Sequence, residues 1–143
     1  MRSVSDSSLS DLDDVKSALV FTDLLDAMGF VQAVSADRKA GIVRAEFDVQ
    51  PRFCHTNGTI AQGGFVTAWM DFAMAQAARL VYGQPTGVAS LEIKVSFMRP
   101  VGPGRVTAEG RVVRMGRRVG FLEGSLFDAK GTLLATASSC AMM

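Results

Sequence analysis

The sequence predicts an α+β domain in which one long apolar helix is wrapped by an antiparallel sheet of about six strands. Three observations predict it. The stretch from Phe65 to Tyr82 is apolar nearly all the way round, carrying Val66, Ala68, Trp69, Met70, Phe72, Ala73, Met74, Ala75, Ala77 and Ala78, and such a helix is enclosed on every side. Several other segments alternate apolar with polar residues, the pattern of strands with one buried face. Short glycine- or proline-bearing turns separate those segments, which joins neighbours antiparallel. With 143 residues, 48% of them apolar, the chain buries a core as one domain over 1–143 without metal or disulfide support.

The elements follow in order. Residues 1–29 form an N-terminal helical extension: Ser10 is placed to cap a helix whose positive end attracts Asp11, Asp13 and Asp14. Leu12, Val15, Leu19, Leu24, Leu25 and Met28 recur at roughly helical spacing until Gly29 ends the run. From Phe30 the pattern is β-like, with a turn at Ala36 to Gly41, after which Val43, Ala45, Phe47 and Val49 alternate against Arg44, Glu46 and Asp48. Pro51 to Gly64 reads as a loop, because Pro51, Asn57, Gly58, Gly63 and Gly64 suit neither helix nor strand. The central helix ends before Gly83 and Pro85.

Four alternating segments complete the chain: Gly87 to Met98, Gly104 to Met115, Arg117 to Asp128 and Gly131 to Met142. In the first, Leu91, Ile93, Val95 and Phe97 oppose Glu92, Lys94 and Ser96; in the second, Val106, Ala108, Gly110 and Val112 oppose Thr107, Glu109 and Arg111. A single sheet of this size covers an all-apolar helix on one side only. The other side needs a second chain, so a homodimer is expected.

Composition excludes several classes. Two cysteines and one histidine cannot assemble the usual four-ligand zinc site or a disulfide framework, which fits a reducing, cytoplasmic setting and no metal. Arg2, the serines Ser3, Ser5, Ser7, Ser8 and Ser10, and the acids behind them leave no apolar run for a secretion signal. The longest apolar stretch holds Asp71, Gln76 and Arg79 and falls short of a membrane span, so no membrane partner is expected. A net charge of +1 argues against nucleic-acid binding, yet residues 1–50 carry −4 and residues 51–143 carry +5. Six arginines fall between Arg99 and Arg118, either a solvated strand face or a site for a phosphate-bearing ligand.

Asp71 is the outlier, a carboxylate in the middle of the most apolar segment, where an unpaired charge is costly to bury. Either it finds a hydrogen-bonding partner across an interface, or it serves as a general base or nucleophile in a partly dry cleft. Gln62, Gly63 and Gly64 lie at the mouth of the same helix. The first N–H groups there have no intrahelical partner, and a carbonyl oxygen gaining charge during attack is what such donors stabilise. Eight residues separate Gly63 from Asp71, about 12 Å along one helix, so both reach one carbonyl only if Gly63 of one chain works with Asp71 of another. Cys54 and His55 are sequence neighbours in a loop, which does not make a thiol nucleophile, since such pairs are assembled from distant segments.

These residues resemble the hotdog-fold acyl-CoA thioesterases of the phenylacetate-degradation (PaaI-like) type, over roughly Phe47 to Ala141. The core of the resemblance is Asn57-Gly58-Thr59-Ile60-Ala61-Gln62-Gly63-Gly64 followed by Asp71, with further matches at Phe97-Met98-Arg99-Pro100-Val101, Val113-Arg114-Met115-Gly116-Arg117-Arg118 and Asp128-Ala129-Lys130-Gly131. The resemblance implies a hotdog fold, dimers that often pair into homotetramers, and hydrolysis of acyl-CoA to acid and free coenzyme A, with no cofactor beyond the coenzyme A of the substrate. It implies that Asp71 is the catalytic acid, that the Gly63 N–H polarises the thioester carbonyl, and that Ser90 positions water. Asn57 is a candidate site residue too. The loop departs by one residue from the commoner spacing, which makes Thr56 the alternative. Gln62 stands where many members have histidine, and Ala75 lacks a hydroxyl that some relatives place there.

On this reading Arg99, Arg114, Arg117 and Arg118 are candidates for the coenzyme A phosphates, Gly64 contacts substrate, and Phe65, Trp69 and Phe72 line the acyl cleft or serve as core. Two alternatives are a non-catalytic acyl-CoA-binding module and a hotdog-type hydratase dependent on His55.

Overall fold

The computed structural model describes residues 6–19, 22–84 and 87–143. Two helices, α1 (Asp6–Ser17) and α2 (Thr22–Ala27), precede a hairpin of β1 (Phe30–Asp37) and β2 (Ile42–Val49). A 3-10 turn (Pro51–Phe53) and two short strands, β3 (Cys54–His55) and β4 (Ile60–Ala61), lead into the long helix α3 (Gly63–Tyr82). Four strands follow: β5 (Ala89–Phe97), β6 (Gly104–Met115), β7 (Val119–Asp128) and β8 (Leu133–Met142). Six strands form one antiparallel sheet in the order β1-β2-β6-β7-β8-β5, and α3 packs across one face of it, as the apolarity of the helix predicts.

The alternation in β2 is realised as read. Val43, Ala45 and Phe47 are completely buried and Val49 nearly so; Ala45, Phe47 and Val49 pack against α3 with Val106, Ala108, Leu122 and Leu126 from the neighbouring strands, and Val43 packs on Val15, Ala77 and Leu80. Trp69, Met70 and Met74 are the helix's contribution to this core, each large side chain worth about 1.5–3 kcal/mol when removed from water. The helix approaches so closely at Gly110 that a Cβ there would lie 2.2 Å from the Ala73 carbonyl. Only glycine permits that contact.

Helix α3 begins two residues earlier than the sequence suggests because Gln62 caps it: the Gln62 side chain accepts the Gly64 N–H at 2.7 Å from an extended backbone. It ends at Gly83, whose left-handed φ of 75° lets its N–H return to the Arg79 carbonyl. Pro85 lies outside the described residues.

The N-terminal extension departs from expectation in two ways. It is two helices rather than one, α1 closing where the Ser17 hydroxyl donates to the Asp14 carbonyl and competes with the helical ladder. Ser10 lies inside α1 instead of capping it, and Asp11 answers to a tertiary partner: its carboxylate accepts the Arg38 N–H at 2.8 Å and pairs with the Arg38 guanidinium at 3.3 Å. Arg38 also reaches Asp14 and the Leu80 carbonyl, which, with buried Val15 packed on Ala77 and Leu80, clamps α1 to the end of α3. The serine-rich start through Ser5 lies outside the described residues.

Strand β5 is the second departure. Alternation suggests a buried face, yet Leu91 and Phe97 are 54% and 58% exposed and Ile93 and Val95 only half-buried. The reason is position: β5 is an edge strand paired on one side with β8, and among the described residues only Ile93 and Val95 of its apolar side chains reach the core. Among the described residues no helix is long and apolar enough to cross a membrane.

Candidate active site

Asp71 sits midway along α3 on its less buried stripe, toward the β5 edge of the sheet, with Thr67, Ala68 and Ala75 half-buried beside it. The stripe stays half-open because one sheet covers one side of the helix. Ser90, near the start of β5, donates its hydroxyl to the Asp71 Oδ1 at 2.7 Å. The pair joins two elements 19 residues apart in sequence and leaves Oδ2 with no hydrogen bond among the described residues. Periodicity alone did not point to Ser90; the family resemblance did.

Two turns back along the same helix lies the second group. Gly64 spends its N–H on Gln62, and Phe65 donates to the Gln62 carbonyl at 3.0 Å, whereas the Gly63 N–H makes no hydrogen bond among the described residues. Of the three mouth residues, Gly63 therefore supplies the available donor, Gln62 the cap, and Gly64 the donor to that cap. A cavity of about 360 Å³ opens beside Gly63, lined by His55, Val66, Phe97, Arg99 and Pro100. The Phe97 ring lies so near that a Cβ on residue 63 would meet it at 3.1 Å. Nothing in the residue pattern around Gly63 announces Phe97, which arrives from β5, the far edge of the sheet.

Other candidates are placed elsewhere. Thr56, Asn57 and Gly58 form a left-handed turn with φ of 54°, 57° and 75° between β3 and β4, and Asn57 is exposed there without lining the Gly63 cavity. A β-branched threonine at such a φ costs about 1–2 kcal/mol. Its hydroxyl lies 2.9 Å from His55 Nδ1. The Cys54 thiol instead bonds the Gln50 carbonyl, and burial pushes its pKa up, which works against a thiolate nucleophile. Phe65 stacks on Phe53 with centroids 4.5 Å apart, Trp69 is wholly buried, and Phe72 packs on Phe30 and Phe47. Among the described residues no three His, Cys, Asp or Glu side chains gather to hold a metal.

The arginines divide between the two ends of the sheet. Arg99 lines the Gly63 cavity, just before β6 begins. Arg114, Arg117 and Arg118 lie at the opposite end of that twelve-residue strand and in the turn after it, about 35 Å away by strand rise. That end is the Ser90 end: Met142 pairs with both Ala89 and Val119, so Arg118 and Ala89 flank β8 about two strand spacings, ~10 Å, apart. One chain thus holds two separate candidate groups, a donor half with Gly63, His55 and Arg99, and an acid half with Asp71, Ser90 and three exposed arginines nearby.

A long helix cradled by a six-stranded antiparallel sheet in this strand order is the hotdog fold. The backbone matches a phenylacetic acid degradation-related protein of Ralstonia eutropha with a TM-score of 0.81 at 24% identity, over 93% of this chain and 98% of that one. It matches the Escherichia coli PaaI protein of the phenylacetic acid degradation operon equally well, TM-score 0.81 at 17% identity, over 96% of this chain and 95% of that one. In sequence it is 31% identical over 97 residues to a Saccharolobus solfataricus protein whose name carries the word esterase. That stretch is 68% of this chain but 63% of the relative's own length, so the chain spans less than two thirds of it. The thioesterase superfamily model matches residues 58–135, from the glycine of the left-handed turn through α3 and β5 to β7 into β8, and the chain belongs to that superfamily.

Proposed function

We propose that the protein hydrolyses an acyl-CoA thioester to the free acid and coenzyme A in a site completed by two copies of the chain. The observation that carries this reading is the pairing of Asp71 with Ser90 at 2.7 Å on the half-open stripe of α3, on the helix whose first turn offers the Gly63 N–H. Both groups ride on one rigid helix about 12 Å apart, too far to act on one carbonyl. Two such helices packed antiparallel about a two-fold axis bring the donor half of one protomer to the acid half of its partner. The exposed edge strand β5 and the half-open stripe of α3 are the surfaces such a dimer would cover.

In that arrangement the Gly63 N–H, with the positive helix end behind it, polarises the thioester carbonyl and takes up the negative charge as the carbon becomes tetrahedral. Ser90 holds Asp71 Oδ1 and fixes the carboxylate plane, so Oδ2 is the oxygen that takes a proton from the attacking water or attacks the carbonyl itself. Collapse expels the coenzyme A thiolate: where water attacked, the thiolate collects the proton from Oδ2, and where Oδ2 attacked, water then hydrolyses the mixed anhydride on Asp71, releasing the acid, restoring the carboxylate and supplying the thiolate's proton. Arg99 on the donor side and Arg114, Arg117 and Arg118 on the acid side are the cations available to the coenzyme's phosphates. The hydratase alternative is disfavoured by His55, whose Nδ1 lies against Thr56 and not against an acid. A cytoplasmic, homodimeric or homotetrameric enzyme without metal or added cofactor completes the proposal.

The test is thiol release from aryl-acetyl, benzoyl, short-chain and medium-chain CoA esters by the wild type, Asp71→Ala and Asp71→Asn. Turnover that collapses in both variants while the oligomer persists is expected. Retained binding of the esters without turnover by the wild type would establish a binding module instead.

A further inference from the structure

The N-terminal helices do not pack flush against α3. Two adjoining cavities run between them and share Ala18, Gln76 and Arg79. One, of about 270 Å³, is apolar, walled by Leu19, Leu24, Leu25, Phe72, Ala75 and Val88. The other, of about 320 Å³, adds Asp14, Arg38 and Gln84. The apolar cavity begins where the Asp71–Ser90 pair ends: Ala75 is one helical turn beyond Asp71, and Val88 stands two residues before Ser90. Arg79, two turns beyond Asp71, stands at its junction with the polar cavity.

The two arginines there differ in their partners. Arg38 is matched by Asp11 and by Asp14 at 2.8 Å. Among the described residues the Arg79 guanidinium hydrogen-bonds only the neutral Gln76 side-chain oxygen, and no carboxylate pairs with it. It is half-buried, and burial draws its pKa down. The C-terminal end of α3 offers it only a fractional negative charge. A partly desolvated guanidinium with a neutral partner has its bidentate match, a carboxylate, still to find.

Resting on the thioesterase reading, we propose that this groove receives the acyl group and that Arg79 selects an acyl chain ending in a carboxylate: an ω-carboxyacyl thioester whose apolar stem lies along Leu24, Leu25, Phe72 and Ala75. The span sets the length. Arg79 is about 12 Å of helix rise from Asp71, and its side chain leans back toward the N-terminus, as its bond to Gln76 three residues earlier records, so the stem is of medium length. The N-terminal helices are then part of the specificity apparatus, since Leu19, Leu24 and Leu25 supply one wall of the groove.

The experiment compares suberyl-CoA with octanoyl-CoA, matched in chain length and differing in the terminal carboxylate, on wild type, Arg79→Gln and Arg79→Lys. A kcat/KM ratio favouring suberyl-CoA by about tenfold in the wild type, abolished in Arg79→Gln and partly restored in Arg79→Lys, is the expected result. Because the ratio is taken on one sample, misfolding of a variant does not imitate it. A wild type that favours octanoyl-CoA, or a ratio unmoved by Arg79→Gln, overturns the assignment. Calorimetric binding of both esters reads the same preference without turnover, so a wild type that hydrolyses neither refutes the thioesterase reading while the groove assignment is still decided by the binding ratio.

Discussion

Replacing Gly63 with proline removes one N–H from the first turn of α3 and changes little else. Proline suits the first helical position: its ring holds a helical φ, and the missing N–H is one that makes no intrahelical bond. Gln62 precedes it at φ −63° and ψ 138°, the extended geometry that a residue before proline adopts. The added Cβ meets the Phe97 ring at 3.1 Å, and since that ring is 58% exposed it can swing a few tenths of an ångström aside. Gly63→Ala imposes the same Cβ contact but keeps the donor, so the pair of variants reports the N–H together with the ring carbon that takes its place. Losing one donor to a developing oxyanion costs about 2.7–4 kcal/mol of transition-state stabilisation, a fall of roughly 10²–10³ in kcat. Thiol release at saturating ester, with thermal melting by circular dichroism to verify the fold, measures it. Proline and alanine variants with equal kcat would refute a role for this N–H.

Two further outcomes follow from individual hydrogen bonds. Ser90→Ala frees Asp71 Oδ1, and kcat is expected to fall about tenfold, the scale of one hydrogen bond to a charged group, with KM nearly unchanged in steady-state assays. Asp128, in the turn joining β7 to β8, accepts the Thr132 and Lys130 N–H groups at 2.9 Å each; the Thr132 amide foremost holds its carboxyl below the ordinary aspartate value of about 3.9. A depressed value stabilises the fold above about pH 4 and loses that contribution as pH falls through it, so wild type and Asp128→Asn, which differ at neutral pH, should draw together in urea melts as pH falls below about 4. A difference constant from pH 7 to pH 2 would contradict this.

Local signals carried most of the fold. The alternation of Val43, Ala45, Phe47 and Val49 identified a buried strand face, and the unbroken apolarity of 65–82 identified the helix that face covers, because periodicity reports burial directly. The misreadings occur where tertiary pairing outweighs local preference. Asp11 and Asp14 look like first-turn acids and answer instead to Arg38 from the β1–β2 turn. Leu91 and Phe97 look like core residues and are exposed because β5 ended at an edge, a matter of strand order that no local pattern encodes. In the site, the helix-mouth donors and Asp71 were legible as chemical oddities in an apolar segment. The closeness of Ser90 to Asp71, the ring of Phe97 over Gly63 and the uncompensated charge of Arg79 all depend on what β5 and the N-terminal helices bring to α3 from a distance.

The separation of Gly63 from Asp71 has a consequence that one chain alone cannot imitate. Gly63→Pro disables the donor half and Asp71→Asn the acid half, and each pure variant is expected to be inactive. Co-refolding the two in equal amounts gives hybrid dimers as about half the population, by the statistics of random pairing about a two-fold axis. In each hybrid, one site takes Gly63 from the asparagine variant and Asp71 from the proline variant and is intact, while the other is doubly disabled. About one quarter of wild-type activity should therefore return on mixing, and sedimentation would show the dimers that carry it. A site contained within one protomer predicts no recovery at any mixing ratio, so inactivity of the mixture with dimers present would refute the split site. The 12 Å of rigid helix between the two groups is the reason to expect the quarter.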